Sequence, residues 1–314
     1  MILADYRGEY RAELETALQA GQRAAAVILE FYDAQSAEAY IKGDGSPVTD
    51  ADLASDRVIR ETIMDAFPSD AMLTEEGASD VSRLDNPRCW IVDPIDGTAQ
   101  YVARTGLFDV MIALCVHGRP VVAVSVQPVR NRIQAAVVGA GAWEIVDGVE
   151  TRFRISPYTG SPRIVSHETP RLVTSKWYGG REEERGQAAR RIASTMGAAD
   201  PPVLEVGYQP RAFSSGERTY DAFIGLPQAN KGSIAQEWDL ACADLITHEA
   251  GGVLTDCWGR LHQYNKRSTN ISGGILVSSS AGLHQSLLGA IAPVLPDQVP
   301  APDPADDGVN SHHP

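Results

Sequence analysis

Trp90-Ile-Val-Asp93-Pro-Ile-Asp96-Gly-Thr98 is the stretch on which the reading of this chain turns. The apolar run 89–92 reads as a short strand that delivers Asp93 at its end. Pro94 and Gly97 force a sharp turn that brings Asp96 back toward Asp93. Two carboxylates and the freed carbonyl of Ile95 can then converge on one point, which is the oxygen set that Mg²⁺ takes in a near-octahedral array. The turn also leaves backbone N–H groups at Gly97 and Thr98 that suit a phosphate. The same letters write an ordinary Asx turn, so the flanking sequence has to decide.

Two further acidic motifs flank it. Leu73-Thr-Glu75-Glu76-Gly77 could end a strand and point two acids at the same place, or form a solvated turn. Downstream lies Glu237-Trp238-Asp239-Leu-Ala-Cys-Ala-Asp244, followed by His248-Glu249-Ala-Gly-Gly252. Asp239 falls at a helix start, where a carboxylate serves equally as a cap and as a metal ligand. Asp244 reads as a polar helix position, and His248 as a helix-end residue.

Composition narrows the classes. The 314 residues, 43% hydrophobic and 22% charged, are enough for one large or two fused globular domains. With 27 Lys+Arg against 41 Asp+Glu, the net charge is −14. That excludes a basic face for nucleic-acid polymers and polybasic membrane docking. The acidic surplus either solubilises the surface or holds hard cations. No apolar run approaches the ~20 residues of a membrane span. The N-terminus, with Asp5 and Glu9, lacks the basic-then-apolar order of a signal peptide. Cys89, Cys115, Cys242 and Cys257 form no CxxC pair and lie in apolar segments, as buried free thiols of a cytoplasmic protein do.

Helical spacing of Tyr6, Tyr10, Leu14, Ala17, Leu18, Ala25, Ile28, Leu29 and Tyr32 predicts a helix over residues 5–34. Lys42-Gly-Asp-Gly-Ser-Pro47 reads as a loop. Thr49, with Asp52 three residues on, caps a second helix that buries Val58, Ile59, Ile63 and Met64 and ends at Pro68. Segments 110–116, 121–126 and 133–138 are β-branched strands. They belong to an antiparallel meander with turns at Gly139-Ala-Gly141 and Asp147-Gly148. The second half reads as α/β, with strands at 171–175, Val253–Thr255 and Ile275–Ser278. Its helices are expected at 182–196, 238–249 (closed by Gly251-Gly252) and 283–291. The expected organisation is an α+β half over 1–150, an α/β half over 151–293 and a tail over 294–314. That tail has five prolines, four aspartates and no Lys or Arg, a composition that does not order itself.

The acidic pair Glu75-Glu76, then Asp93-Pro-Ile-Asp96-Gly-Thr98, then Trp238-Asp239, in this order, resembles the lithium-sensitive, magnesium-dependent phosphomonoesterase superfamily. Its members include inositol monophosphatases, 3′(2′),5′-bisphosphate nucleotidases and fructose-1,6-bisphosphatases. The family's lysine loop and S-P-V-T-x-A-D segment have matches in Lys42 and Ser46-Pro-Val-Thr-Asp-Ala-Asp52. The Glu249-Ala-Gly-Gly252 ending is similar as well. The likeness covers roughly residues 5–292 and implies a layered α-β-α-β-α sandwich of the inositol monophosphatase type, with both halves contributing to one metal site.

By resemblance, Glu75, Asp93 and the Ile95 carbonyl are ligands of a first magnesium, and Asp93, Asp96 and Asp239 of a second. Glu75, with Asp52 acting through water, makes a weaker third position, so about two to three Mg²⁺ are implied per site. Thr98 and Asp52 resemble the dyad that orients and deprotonates the attacking water, with Gly97 and Thr98 at the phosphate and Glu76 in a supporting place. The implied partner is a small phosphorylated metabolite, and a homodimer is common in the family.

Tyr101 followed by Thr105-Gly-Leu-Phe108-Asp-Val-Met-Ile-Ala-Leu, and Tyr264-Asn-Lys266 followed by Ser272-Gly-Gly-Ile-Leu-Val, are similar to the bisphosphate nucleotidases. A second phosphate would need cations, for which Lys176, Lys231, Lys266 and Arg267 are the candidates. Two departures stand against this. Gly207-Tyr-Gln-Pro-Arg211 replaces the segment before Trp-Asp, and the nucleotidases' serine-histidine segment has no counterpart near Thr174-Ser-Lys176. The expected activity is therefore removal of the 3′-phosphate from a bisphosphate nucleotide. An inositol or other sugar or cyclitol phosphate is the alternative, and a catalytically silent metal-binding protein a more distant one.

Overall fold

Helix α1 (Arg11–Ala34) starts later than its apolar spacing predicts. Tyr10 has φ +61°, a left-handed conformation that cannot continue a right-handed helix. Tyr6 is buried all the same, edge-on to Trp143 at 5.9 Å. In this computed structural model the described residues are 3, 6–34, 38–41, 47–77, 80–158, 169–175, 182–201, 203–204, 220–227 and 235–295. They form two units: Met1–Phe153 with Ala241–Glu249, and Arg154–Leu240 with Ala250–Pro314. Lys42 and the tail from residue 296 onward lie outside the described residues.

In the first unit, α1 is followed by an antiparallel pair, β1 (Ala39–Ile41) and β2 (Pro47–Thr49). Helix α2 (Asp50–Ala66) starts at Thr49, whose N–H and hydroxyl both donate to Asp52 Oδ2, at 2.8 and 2.6 Å. It stops before Pro68, with Phe67 N–H returning to the Ile63 carbonyl at 2.8 Å. Next come β3 (Ala71–Thr74), β4 (Arg88–Asp96), helix α3 (Thr98–Val102), β5 (Asp109–Val116), β6 (Arg119–Gln127), β7 (Arg132–Val137), β8 (Gly141–Val146) and β9 (Val149–Phe153).

Strands β3 to β9 lie side by side in chain order, β3/β4 parallel and the rest antiparallel. One face of this sheet carries Trp90, Val92, Ile112, Leu114, Val122 and Val124 against α1 and α2. The helix sits close because its buried stripe is small: a Cβ on Gly21 would stand 2.8 Å from Val126 Cγ2. The alternate residues Met111, Ala113, Cys115 and Ala123 are buried too, so these strands read as near-continuous apolar runs.

Strand β4 does not end at Asp93 but runs on through Asp96, with a register shift between the two. A β-bulge accommodates Pro94, which has no N–H to give the ladder.

The second unit contains β10 (Leu172–Ser175), α4 (Glu182–Thr195), β11 (Val203–Leu204), β12 (Ala222–Gly225), β13 (Ala235–Gln236), α5 (Glu237–Glu249), β14 (Val253–Thr255), β15 (Asn270–Ile271), β16 (Ile275–Ser278) and α6 (Ala281–Ile291). Its five-stranded sheet has the order β11-β10-β12-β16-β14, parallel across β10 and antiparallel across β16. Ile192, Ala193, Leu276, Leu283, Leu287 and Ile291 build its core, and Val294 and Leu295, at the head of the expected tail, pack against it.

Residues 241–249 of α5 belong with the first unit. Arg119 grips the fully buried Asp244 through two parallel bonds of 2.9 and 3.0 Å. Glu249 accepts from Gly139 N–H at 2.8 Å and Gly141 N–H at 2.7 Å. Such charge-assisted bonds fix the helix as a rigid part of that unit. All four cysteines are buried free thiols, and burial pushes that of Cys242 far up. No helix among the described residues is long and apolar enough to cross a membrane.

Candidate active site

The bulge at the end of β4 builds the site. Asp93, 1% exposed, points one carboxylate oxygen at Ile95 N–H, 3.0 Å away. Ser55 of α2 donates to the Pro94 carbonyl at 3.0 Å, which pins the turn from below. Gly97 follows with φ +92° and the Leu107 carbonyl 3.2 Å from where a Cβ would stand. A glycine is required on both counts. Its carbonyl accepts the Gln100 and Tyr101 N–H groups, which starts α3 at Thr98.

Asp93 and Asp96 stand on the bulge of β4, and Asp239 on the first turn of α5. Each offers a carboxylate oxygen to a cation. These three acids offer only hard oxygen donors, with no thiol or imidazole. Mg²⁺ fits that set better than a softer ion does.

Glu75 follows β3 and extends the parallel ladder, its N–H donating to the Val92 carbonyl at 3.1 Å. Its charge reaches Asp52. Glu76, beside it, is half-buried.

Thr98 Oγ1 donates to Asp52 Oδ1 at 3.1 Å, with the Ile95 carbonyl as a second acceptor at 3.3 Å. Asp52 is fully buried. Burial raises its carboxyl above the ordinary range, the bonds from Thr49 and Thr98 draw it back in part, and the Glu75 charge raises it further. The net rise makes Asp52 a stronger base than a surface aspartate. Tyr101, one turn beyond Thr98, packs against Tyr32 and Phe108 at 5.4 and 5.2 Å. Burial, with the Asp52 charge, pushes its phenol up to about 12.

The four cations expected at a substrate have different settings. Lys176 and Lys231 lie outside the described residues, and Arg267 is exposed. Lys266 is directed inward, its Nζ 3.0 Å from Oε1 of the fully buried Glu237. Arg119 and Ser55 stand in no motif, and Glu237, which opens the third one, carries no role in the sequence reading. A charged residue inside an apolar helix, as at Asp244, was the one available signal for the Arg119 pair.

The sequence pattern of the Inositol monophosphatase family matches residues 9–296. A histidinol-phosphatase of Chlorobaculum parvum is 28% identical over 89% of this chain and 96% of its own length. The 3′(2′),5′-bisphosphate nucleotidase CysQ of Escherichia coli O157:H7 is 28% identical over 84% and 99%. Among solved structures, an inositol monophosphatase from Zymomonas mobilis superposes with a TM-score of 0.69 at 22% identity, covering 91% of this chain and all of that one. The fold is thus the inositol-monophosphatase type that the motifs implied. The chain belongs to the inositol monophosphatase family and is, at that level, a metal-dependent phosphoric monoester hydrolase.

Proposed function

We propose that the protein hydrolyses the 3′-phosphate of 3′(2′),5′-bisphosphate nucleotides, 3′-phosphoadenosine 5′-phosphate to AMP, with Mg²⁺ and a water nucleophile. The observation that carries the hydrolytic part is the bulge of β4, which sets Asp93 and Asp96 just ahead of Thr98, itself hydrogen-bonded to Asp52. Asp93 is assigned to two metal positions, one with Glu75 and the Ile95 carbonyl, the other with Asp96 and Asp239. When bound, Mg²⁺ neutralises phosphate charge and makes a water acidic enough to attack near neutral pH. The chain's own residues orient and deprotonate that water. Thr98 Oγ1 accepts a proton from it while donating its own to Asp52, whose raised basicity suits it to receive that proton. The Gly97 and Thr98 N–H groups are assigned to a phosphate oxygen.

The nucleotide assignment is supported by the Tyr101 and Phe108 pattern and by the CysQ relative. The alternative, an inositol or other sugar or cyclitol phosphate, is favoured by one observation: Lys266 is turned toward Glu237.

The test is phosphate release from 3′-phosphoadenosine 5′-phosphate, inositol 1-phosphate and histidinol phosphate, with Mg²⁺ and with chelator. The expected result is fastest turnover of the nucleotide, abolished by chelation. Faster turnover of inositol 1-phosphate or histidinol phosphate rejects the nucleotide reading, and no release from any of them supports a silent protein.

A further inference from the structure

Glu237 is the first residue of α5 and is fully buried. Its carboxylate is held on three sides, by Asn265 N–H at 2.7 Å, Lys266 N–H at 3.0 Å and Lys266 Nζ at 3.0 Å. Asn265 has φ +58°, and this left-handed turn aims two successive N–H groups at one anion. The Glu237 N–H in turn donates to the Thr269 carbonyl at 2.8 Å. Just before it, Gln236 N–H donates to Asp239 Oδ2 at 2.6 Å, which orients that carboxylate. Gln236 is itself tied to Thr269 at 2.7 Å and Asn270 at 3.0 Å, and pairs with Asn270 in the β13/β15 ladder. The segment 265–270 is therefore fastened to both residues that set the Asp239 turn.

A lysine that reached a substrate phosphate would have to leave Glu237, stranding a buried carboxylate without its cation. The Lys266 side chain is only 14% exposed, so water cannot replace it cheaply. Supporting residues around metal ligands act by fixing ligand orientation. We infer that Lys266 and Glu237 are positioning residues that hold Asp239 in its ligand orientation and so set the Mg²⁺ affinity, rather than contacts to substrate. This rests on the phosphatase reading of the same site.

The test uses the full chain with Lys266→Met and Lys266→Arg. Calorimetry measures Mg²⁺ binding without substrate, and phosphate release gives KM at saturating Mg²⁺. Lys266→Met is expected to weaken Mg²⁺ binding by about tenfold or more, leave KM within about twofold, and be largely rescued in Lys266→Arg. Unaltered Mg²⁺ binding in Lys266→Met overturns the inference, whether or not KM rises. Should Lys266→Met not fold, Glu237→Gln removes the charge and one of the two acceptor oxygens, so only one of the Asn265 and Lys266 N–H groups keeps its acceptor; it too is expected to weaken Mg²⁺ binding, and the inference falls if it does not. Wild-type protein that binds no Mg²⁺ overturns the phosphatase reading and this inference together.

Discussion

The Thr98 hydroxyl donates to Asp52 Oδ1 at 3.1 Å, joining residues 46 apart in the chain. Both are buried, so the bond is not exchanged with bulk water. Asp52 is also the residue that caps α2 through Thr49, at 2.6 and 2.8 Å. A single carboxylate thus fixes a helix start with one oxygen and accepts the Thr98 hydroxyl with the other.

Removing only the hydroxyl separates these duties. Thr98→Ala is expected to lower kcat by about 10²–10⁴-fold, the range for loss of a positioned general acid or base. The Mg²⁺ concentration for half-maximal rate should stay within about twofold. Thr98→Ser should retain most activity. Steady-state kinetics across a Mg²⁺ titration gives the answer, and an equal loss of kcat and metal affinity rejects the water-orienting role.

Asp93→Asn tests the bridging role. The asparagine keeps an oxygen for Ile95 N–H, now 3.0 Å from Asp93 Oδ1, so the bulge is expected to survive. What is lost is a negative charge assigned to two cations. Turnover should fall below detection and calorimetric Mg²⁺ binding should weaken sharply, with thermal unfolding little changed. Near-normal turnover would remove Asp93 from the metal site.

The meander was legible because each strand is β-branched and each turn carries its own glycine or aspartate. Asp93, Asp96 and Asp239 stood out because each lies in a short motif that joins acids to turn or helix-start residues. What escaped has physical reasons. Tyr6 and Tyr10 hold helical spacing and one of them is buried, but backbone conformation at Tyr10 rather than hydrophobicity decides where α1 begins. The length of β4 depended on a bulge at Pro94, a three-dimensional repair that periodicity does not register. Strands β11, β13 and β15, of two residues each, are too short for any pattern. Asp244 read as an ordinary polar position because its partner, Arg119, lies 125 residues away. Lys266 read as a free cation for a similar reason, since nothing local reveals that Glu237 faces it.

Gly97→Ala probes the backbone of the site. The residue holds φ +92°, and an added Cβ would stand 3.2 Å from the Leu107 carbonyl. Forcing alanine into that conformation costs of the order of 1–3 kcal/mol. For a chain of this size that corresponds to a Tm lowered by roughly 2–5 °C. Scanning calorimetry measures it, and an unchanged Tm would mean the turn relaxes to another conformation.

The Arg119–Asp244–His248 cluster makes stability depend on pH in a defined direction. Asp244 is fully buried, with Arg119 at 2.9 Å and His248 Nδ1 at 2.8 Å. Burial would raise its carboxyl, but the His248 bond and the Arg119 charge outweigh burial and hold it below the usual value of 3.8. Burial would lower His248, yet its bond to Asp244 and the charge of Asp244 outweigh that and raise it above 6.5. A depressed carboxylate contributes stability that is present above 3.8 and lost as pH falls through its folded value. A raised histidine contributes stability that is fully present below 6.5 and lost as pH rises through its higher folded value. Both contributions coexist between these limits, so Tm should be greatest from about pH 4 to 6.5 as far as this cluster governs it. His248→Ala should flatten the decline on the alkaline side. Arg119→Met strands a buried charge and should cost about 3 kcal/mol, the lower end for a broken buried pair, because His248 still faces Asp244. Tm measured across pH for the three proteins decides the matter. An alkaline decline that persists in His248→Ala would assign it to another group.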